Sequence, residues 1–247
     1  MMTYYNVFLL ILVFLLVWVP WLWRYQIKPL SAKAELKKLL KNHPEAKQII
    51  DTERDLIELY KNLNAKSISQ RERKRLGMMD DAFVYGEIEF VPFYIILDRV
   101  KPQSHEIFYD LGSGAGKAVM TATCFFDLSK VYGIELLPGL YDAANKQVTK
   151  AIELKKINLQ KMARVKFIKE NYIDYDFSDA DIIFVNATCI DYHTWEKLLS
   201  KLSDLKSGSR VIVTTKKIEN EKFKSIYHGM DLMSWGMNSV NIYKKIL

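Results

Sequence analysis

The stretch Ile107–Gly116, IFYDLGSGAG, constrains the chain more than any other. Five residues of strand character end in Asp110 and Leu111, and glycines then fall at 112, 114 and 116. A strand that runs into such a loop and on into a helix presents backbone N–H groups to a ligand at the strand's carboxyl end. The rest of the chain repeats the alternation. IFYDL, KVYGIE, RVKFIK, DIIFVN and SRVIVTT read as strands, and residues 117–126, 138–158 and 191–204 read as helices between them. Strands that alternate with helices make a parallel sheet covered on both faces. After Thr214 the pattern changes. KFKSIYHGM and SVNIYKKIL have no helix-length insert between them, which predicts an antiparallel hairpin at the end of the sheet.

The loop excludes two common phosphate binders. A P-loop, GxxxxGK[ST], needs glycine where Leu111 stands and a hydroxyl where Ala118 stands. The dinucleotide fingerprint GxGxxG needs glycine at Lys117. The pattern present is D-x-G-x-G-x-G. An acidic residue, Glu135, closes the next strand, where it can accept from two ribose hydroxyls. That combination is the pattern of an S-adenosylmethionine site.

A second constraint lies at the other end of the chain. Val7–Trp23 is apolar throughout, and with Thr3–Asn6 it makes about 20 residues, about 30 Å of helix. Tyr4 and Tyr5 flank one edge, and Trp18, Trp21, Trp23 and Tyr25 the other, as in an interfacial aromatic belt. No basic residue precedes the run and no small-residue cleavage site follows it, so a retained anchor is favoured over a cleaved signal peptide. Arg24, Lys28, Lys33, Lys37, Lys38 and Lys41 follow the span, which puts the C-terminal part in the cytoplasm by the positive-inside rule.

The charge is segregated. Residues 24–75 hold 14 Lys/Arg and 7 Asp/Glu, a net of +7, while residues 76–247 hold 22 of each. The basic excess therefore belongs to a segment that reads as two helices, Ser31–Asn42 and Pro44–Leu63, followed by SQRERKRLG. Beside an anchor such a segment suits anionic lipid headgroups. No aromatics interleave with the arginines, which disfavours nucleic acid. The organisation expected is an anchor over 4–25, a basic helical stalk over 26–79 and an α/β catalytic domain over 80–247. Cys124 and Cys189 form neither a disulfide framework nor a CxxC pair, and His43, His105, His193 and His228 lack metal-ligand spacing. No metal is expected, and the compartment reads as reducing.

Taken in order, VYGEIEF (84–90), DLGSGAG (110–116), YGIE (132–135), IFVN (183–186) and SWGMNSVNIYKK (234–245) resemble the disruptor-of-telomeric-silencing family. These are the non-SET histone-lysine methyltransferases of class I, Rossmann-like fold. The resemblance implies a cofactor, S-adenosylmethionine, and a role for each matching position. Tyr85, Gly86, Glu87 and Ile88 would lie over the methionine end, with Glu87 on its ammonium and Tyr85 beside the chemistry. Asp110, Gly112, Ser113, Gly114, Gly116 and Lys117 would form the main cofactor loop, and Glu135 would take the ribose. Asn171 would meet the adenine amino group and Tyr172 its face. Asn186 would line the lysine channel near the transferable methyl, its amide oxygen orienting the amine, and Trp235 would form part of the channel wall. Three positions depart from the family pattern. Asn171 replaces aspartate, Ile88 stands where threonine is common, and Ile242 where an aromatic is common.

The expected activity is S-adenosylmethionine-dependent methylation of a protein lysine by a membrane-anchored enzyme. A membrane-associated small-molecule or lipid methyltransferase and a non-catalytic adaptor are the alternatives.

Overall fold

The structure, a computed structural model, describes residues 44–77, 86–154 and 157–247. The apolar run 7–23, the helix expected over Ser31–Asn42, and Tyr85 lie outside the described residues. Among the described residues no helix is long and apolar enough to cross a membrane.

Among the described residues seven strands form one sheet in the order β3-β2-β1-β4-β5-β7-β6. They are β1 (Ile107–Leu111), β2 (Lys130–Glu135), β3 (Val165–Lys169), β4 (Ile182–Val185), β5 (Arg210–Thr214), β6 (Phe223–Met233) and β7 (Gly236–Lys245). The first five are parallel. β7 inserts antiparallel between β5 and β6, so the hairpin expected from the sequence enters the sheet with its second strand innermost.

Register explains why the strands read as unbroken apolar runs. Phe108 lies opposite Val131 and Ile182, and Phe184 opposite Ile212; all face one apolar layer. Tyr109, Ile183 and Val211 are level with one another, as are Leu111, Val185 and Val213, and these face the other layer. With both faces covered, neither set of alternate residues is free to be polar. Each such fully buried side chain contributes about 1.5–3 kcal/mol of transfer free energy.

Seven helices are described. In chain order they are α1 (Ala46–Tyr60), α2 (Ala65–Arg75), α3 (Phe90–Asp98), α4 (Lys117–Phe125), α5 (Pro138–Glu153), α6 (Leu159–Met162) and α7 (Tyr192–Leu202). α7 covers the second layer through Trp195, Leu198 and Leu202. α1, α3, α4 and α5 cover the first.

α3 is not evident from the sequence. FVPFYIILD is apolar all round, because both of its sides are buried, so no helical period is visible. Pro92 sits in its first turn, where a missing N–H costs nothing. The Phe93 ring stands 4.6 Å from that of Phe184 on β4.

α1 and α2 correct the expected stalk. Leu56, Leu59, Tyr60 and Ala65 are buried in the same apolar cluster as the sheet. The Lys150 ammonium donates to the Leu59 carbonyl at 2.8 Å, and Tyr60 Oη donates to the Ala115 carbonyl at 3.0 Å. α2 begins at an Asn64 cap that accepts from Ser67 N. It then runs so close to the start of α5 that a Cβ on Gly139 would lie 2.9 Å from Ile68. These two helices are therefore part of the α/β body. Their charge pattern reads as a stalk because only one side of each is buried.

Candidate active site

The order of strands reverses between β1 and β4, the place where open α/β sheets bind ligands at their carboxyl ends. Residues 112–116 lie at the end of β1. Gly112, Gly114 and Gly116 all have positive φ, which lets the chain turn tightly into α4. The loop is tied to β2, since Gly112 N and Ser113 N both donate to the Ile134 carbonyl at 2.9 Å. Glu135, at the end of β2, fastens it further. Its Oε2 accepts from Gly114 N at 2.7 Å, and its Oε1 accepts from Leu137 N at 2.8 Å. Leu136 N is a third backbone donor to this carboxylate, which leaves one of its four lone pairs for a ligand.

Asp110 and Glu135 are both buried carboxyls. Burial pushes Asp110 well above the ordinary carboxylate range, and the charge of Glu135 adds to this. Burial also raises Glu135, while the backbone donors Leu137 and Gly114 oppose the rise. Two acidic groups thus sit at the mouth of the loop, and among the described residues no cation is set against either.

Around them the expected residues converge, with corrections. A Cβ on Gly112 would meet nothing nearer than the Tyr172 ring at 4.0 Å, which leaves room there for a flat group lying against that ring. Burial raises the Tyr172 hydroxyl to about 12, and the charges of Asp191 and Glu135 add to it. Asn171 Oδ1 already accepts from Ile173 N at 3.0 Å, so one lone pair remains for an adenine amino group. Glu87 pairs with Lys117 across 2.5 Å. Gly86 lies under the Trp235 ring, where a Cβ would be 2.8 Å from the indole. Ile88 is buried in the apolar cluster and does not face the crevice, because its strand-like neighbours Glu87 and Glu89 take the more exposed side.

Asn186 follows β4 directly, one residue beyond the Leu111–Val185 pair, and so stands level with Gly112. Its amide oxygen accepts from Thr214 Oγ1 at 2.7 Å and from Thr188 Oγ1 at 2.8 Å. Both lone pairs are taken, so this oxygen does not orient an incoming amine, and the threonines hold the amide with its nitrogen outward. The network extends to Asn238, whose amide nitrogen donates to Thr188 Oγ1 at 3.1 Å, and to Thr215, whose one hydroxyl proton goes either to Asn238 Oδ1 at 3.1 Å or to Thr188 Oγ1 at 3.0 Å. Thr215 is held at φ 66°, a left-handed conformation uncommon for a β-branched residue. None of these partners stood out in the sequence. The TT at the end of SRVIVTT was the available signal.

The donor set fits the proposed cofactor. A carboxylate beside an open glycine cradle suits a ribose, a tyrosine face suits adenine, and an acid–base pair of side chains suits an amino-acid end. The topology and this crevice define a class I S-adenosylmethionine-dependent methyltransferase. Residues 78–242 match the model of the family described as "Histone methylation protein DOT1", and the chain belongs to that family.

Two curated relatives illustrate its range. The H3 lysine-79 specific histone-lysine N-methyltransferase of Kluyveromyces lactis is 28% identical over 155 residues, which cover 60% of this chain and 27% of that protein. The protein-lysine N-methyltransferase of Saccharolobus islandicus is 28% identical over 118 residues, covering 47% of this chain and 66% of that one. The chain thus spans about a quarter of the length of the Kluyveromyces relative. Among solved structures, an RNA methyltransferase from Salinibacter ruber in complex with S-adenosyl-L-homocysteine superimposes with TM-score 0.51. It is 21% identical and covers 62% of this chain and 90% of that one. TrmN from Thermus thermophilus superimposes with TM-score 0.50 at 17% identity, covering 71% of this chain and 53% of that one. At these identities the two structures speak to the fold alone.

Proposed function

We propose that the protein is an S-adenosylmethionine-dependent protein-lysine N-methyltransferase, held at a membrane by residues 4–25 with its catalytic domain in the cytoplasm. One observation carries the lysine reading. Beside an acidic nucleoside crevice, the ends of β4 and β5 together with Asn238 of β7 present a cluster without charge, Asn186, Thr188, Thr214, Thr215 and Asn238. A lysine must lose its proton, pKa about 10.4 in water, before it can attack. A carboxylate at this position would hold the ammonium form, whereas amides and hydroxyls do not.

The cofactor supplies a sulfonium methyl for in-line transfer to the amine. The chain's own residues do the positioning. Glu135 grips the sugar, Tyr172 the base, and Glu87 with Lys117 the amino-acid end. Trp235 and the Thr/Asn cluster confine the approach of the side chain. Holding the reacting atoms in line is worth about 7–11 kcal/mol in well-oriented systems.

The membrane reading is supported by the composition of the N-terminal run and by the side of α2 away from the core, where Lys66, Arg71, Lys74 and Arg75 are exposed.

The test uses the full chain in detergent with tritiated S-adenosylmethionine and a lysate containing membranes and cytosol. The label is expected on a lysine ε-amine, and Glu135→Gln should abolish cofactor binding in calorimetry. Label on a lipid would overturn the protein-lysine assignment, and absence of cofactor binding would overturn the enzyme. Flotation with phosphatidylglycerol-containing vesicles, with and without residues 1–43, tests the anchor.

A further inference from the structure

Lys117 is the first residue of α4, where a cation opposes the helix dipole. Its position therefore has a cause outside the helix. Its ammonium pairs with Glu87 at 2.5 Å, lies 5.4 Å from the Phe90 ring centre and 5.9 Å from that of Tyr60, and is about four-fifths buried, like its partner (22% and 21% exposed). Glu87 is also a junction. Its backbone N donates to Ser234 Oγ at 3.3 Å, and its carbonyl accepts from Ser234 N at 3.2 Å. The next residue of the β6–β7 turn is Trp235, whose ring covers Gly86.

A bound S-adenosylmethionine would bring one carboxylate and one ammonium to this end of the loop. The protein already holds one of each there, closed on one another. A second zwitterion placed beside a closed pair would leave partly desolvated charges without partners, whereas exchange keeps every charge paired. We propose that the Glu87–Lys117 pair opens to receive the amino-acid end of the cofactor, Lys117 taking its carboxylate and Glu87 its ammonium, and that Ser234 carries this opening to Trp235. The inference rests on the cofactor reading above and adds an order of events. The amino-acid end of the cofactor sets the wall against which the substrate side chain then packs. The nucleoside end alone does not.

The experiment compares two ligands on the full chain in detergent. S-adenosylhomocysteine carries the amino-acid end, and 5′-methylthioadenosine lacks it. In calorimetry, Lys117→Met is expected to weaken S-adenosylhomocysteine by about tenfold and to leave methylthioadenosine within about twofold, with Lys117→Arg close to the parent for both. In fluorescence, S-adenosylhomocysteine but not methylthioadenosine is expected to change the tryptophan emission, and Trp235→Phe should remove that change. Equal loss of both ligands in Lys117→Met, loss of neither, or the same emission change from both ligands would overturn the exchange. If the parent binds neither ligand, the cofactor reading itself falls, and this inference with it.

Discussion

Gly112 and Gly116 share a left-handed backbone, φ +81° and +84°, but differ in what a side chain would meet. An alanine at either costs about 1–2 kcal/mol for placing an L-residue in that region. At Gly112 the new methyl would touch only the Tyr172 ring at 4.0 Å. At Gly116 it would lie 2.5 Å from Phe167 Cζ, 3.0 Å from Cε1 and 3.3 Å from Ala144 Cβ. The same ring lies over Gly133, where a Cβ would be 2.7 Å from Cδ1 and Cε1, so Phe167 fills the space that two missing side chains leave. Overpacking of this kind adds about 1–3 kcal/mol. Gly116→Ala is therefore expected to lose about 2–5 kcal/mol of stability and Gly112→Ala about 1–2. Urea unfolding of residues 44–247, with midpoints compared at constant m, measures both. Ligand binding separates them further. The Gly112 methyl enters the crevice and should weaken S-adenosylhomocysteine, whereas the Gly116 methyl faces the core and should not. Adding Phe167→Leu should recover the overpacking part, a coupling of about 1–3 kcal/mol. Equal stability losses, or a Gly112 variant that binds as the parent does, would refute the geometry.

Three further outcomes follow. A fragment of residues 80–247 lacks Leu56, Leu59 and Tyr60, each worth about 1.5–3 kcal/mol of burial, and should fail to give a cooperative melt where residues 44–247 do. Asp110→Asn should raise the melting temperature at neutral pH. The folded carboxyl titrates above its unfolded value of about 4, so parental stability falls as pH rises through that window, and the two proteins should converge as pH drops towards 4. Glu106 is raised by burial but held below the ordinary range by its two-pronged bond to Arg210 at 2.6 and 2.7 Å, so Arg210→Met should cost about 3–5 kcal/mol in chemical denaturation.

The sheet was legible because its strands are short, buried on both faces and bounded by turns, so β1 and β2 begin and end where their apolar runs do. The glycine loop and Glu135 were legible for a related reason. Their chemistry depends on residue type and spacing, and the register of β1 on β2 turns that spacing into contact. What escaped depends on residues distant in the chain. α1 looks like a charged helix until Leu59 meets Lys150 and Tyr60 meets Ala115. α3 shows no period because neither side faces water. Residue type pointed to Asn186, but the direction of its amide is set by Thr188 and Thr214, which the sequence places 2 and 28 residues away.

That direction supports a test of the lysine reading that leaves the cofactor site alone. Asn186 presents its amide nitrogen outward because two hydroxyl donors occupy its oxygen. In Asn186→Asp one carboxylate oxygen keeps those bonds and the other replaces the nitrogen, so a negative charge appears where the neutral cluster meets the substrate. An amine entering there would hold its proton more tightly, by about 1–3 pKa units for a charge within contact distance. Turnover at neutral pH should fall by about tenfold or more and recover as pH rises, while S-adenosylhomocysteine affinity stays close to the parent's. A carboxyl-directed or lipid-phosphate acceptor predicts the opposite pH trend, because the new charge would repel it at high pH. A variant whose rate profile keeps the parent's shape would show that the methyl is not delivered to an amine beside Asn186.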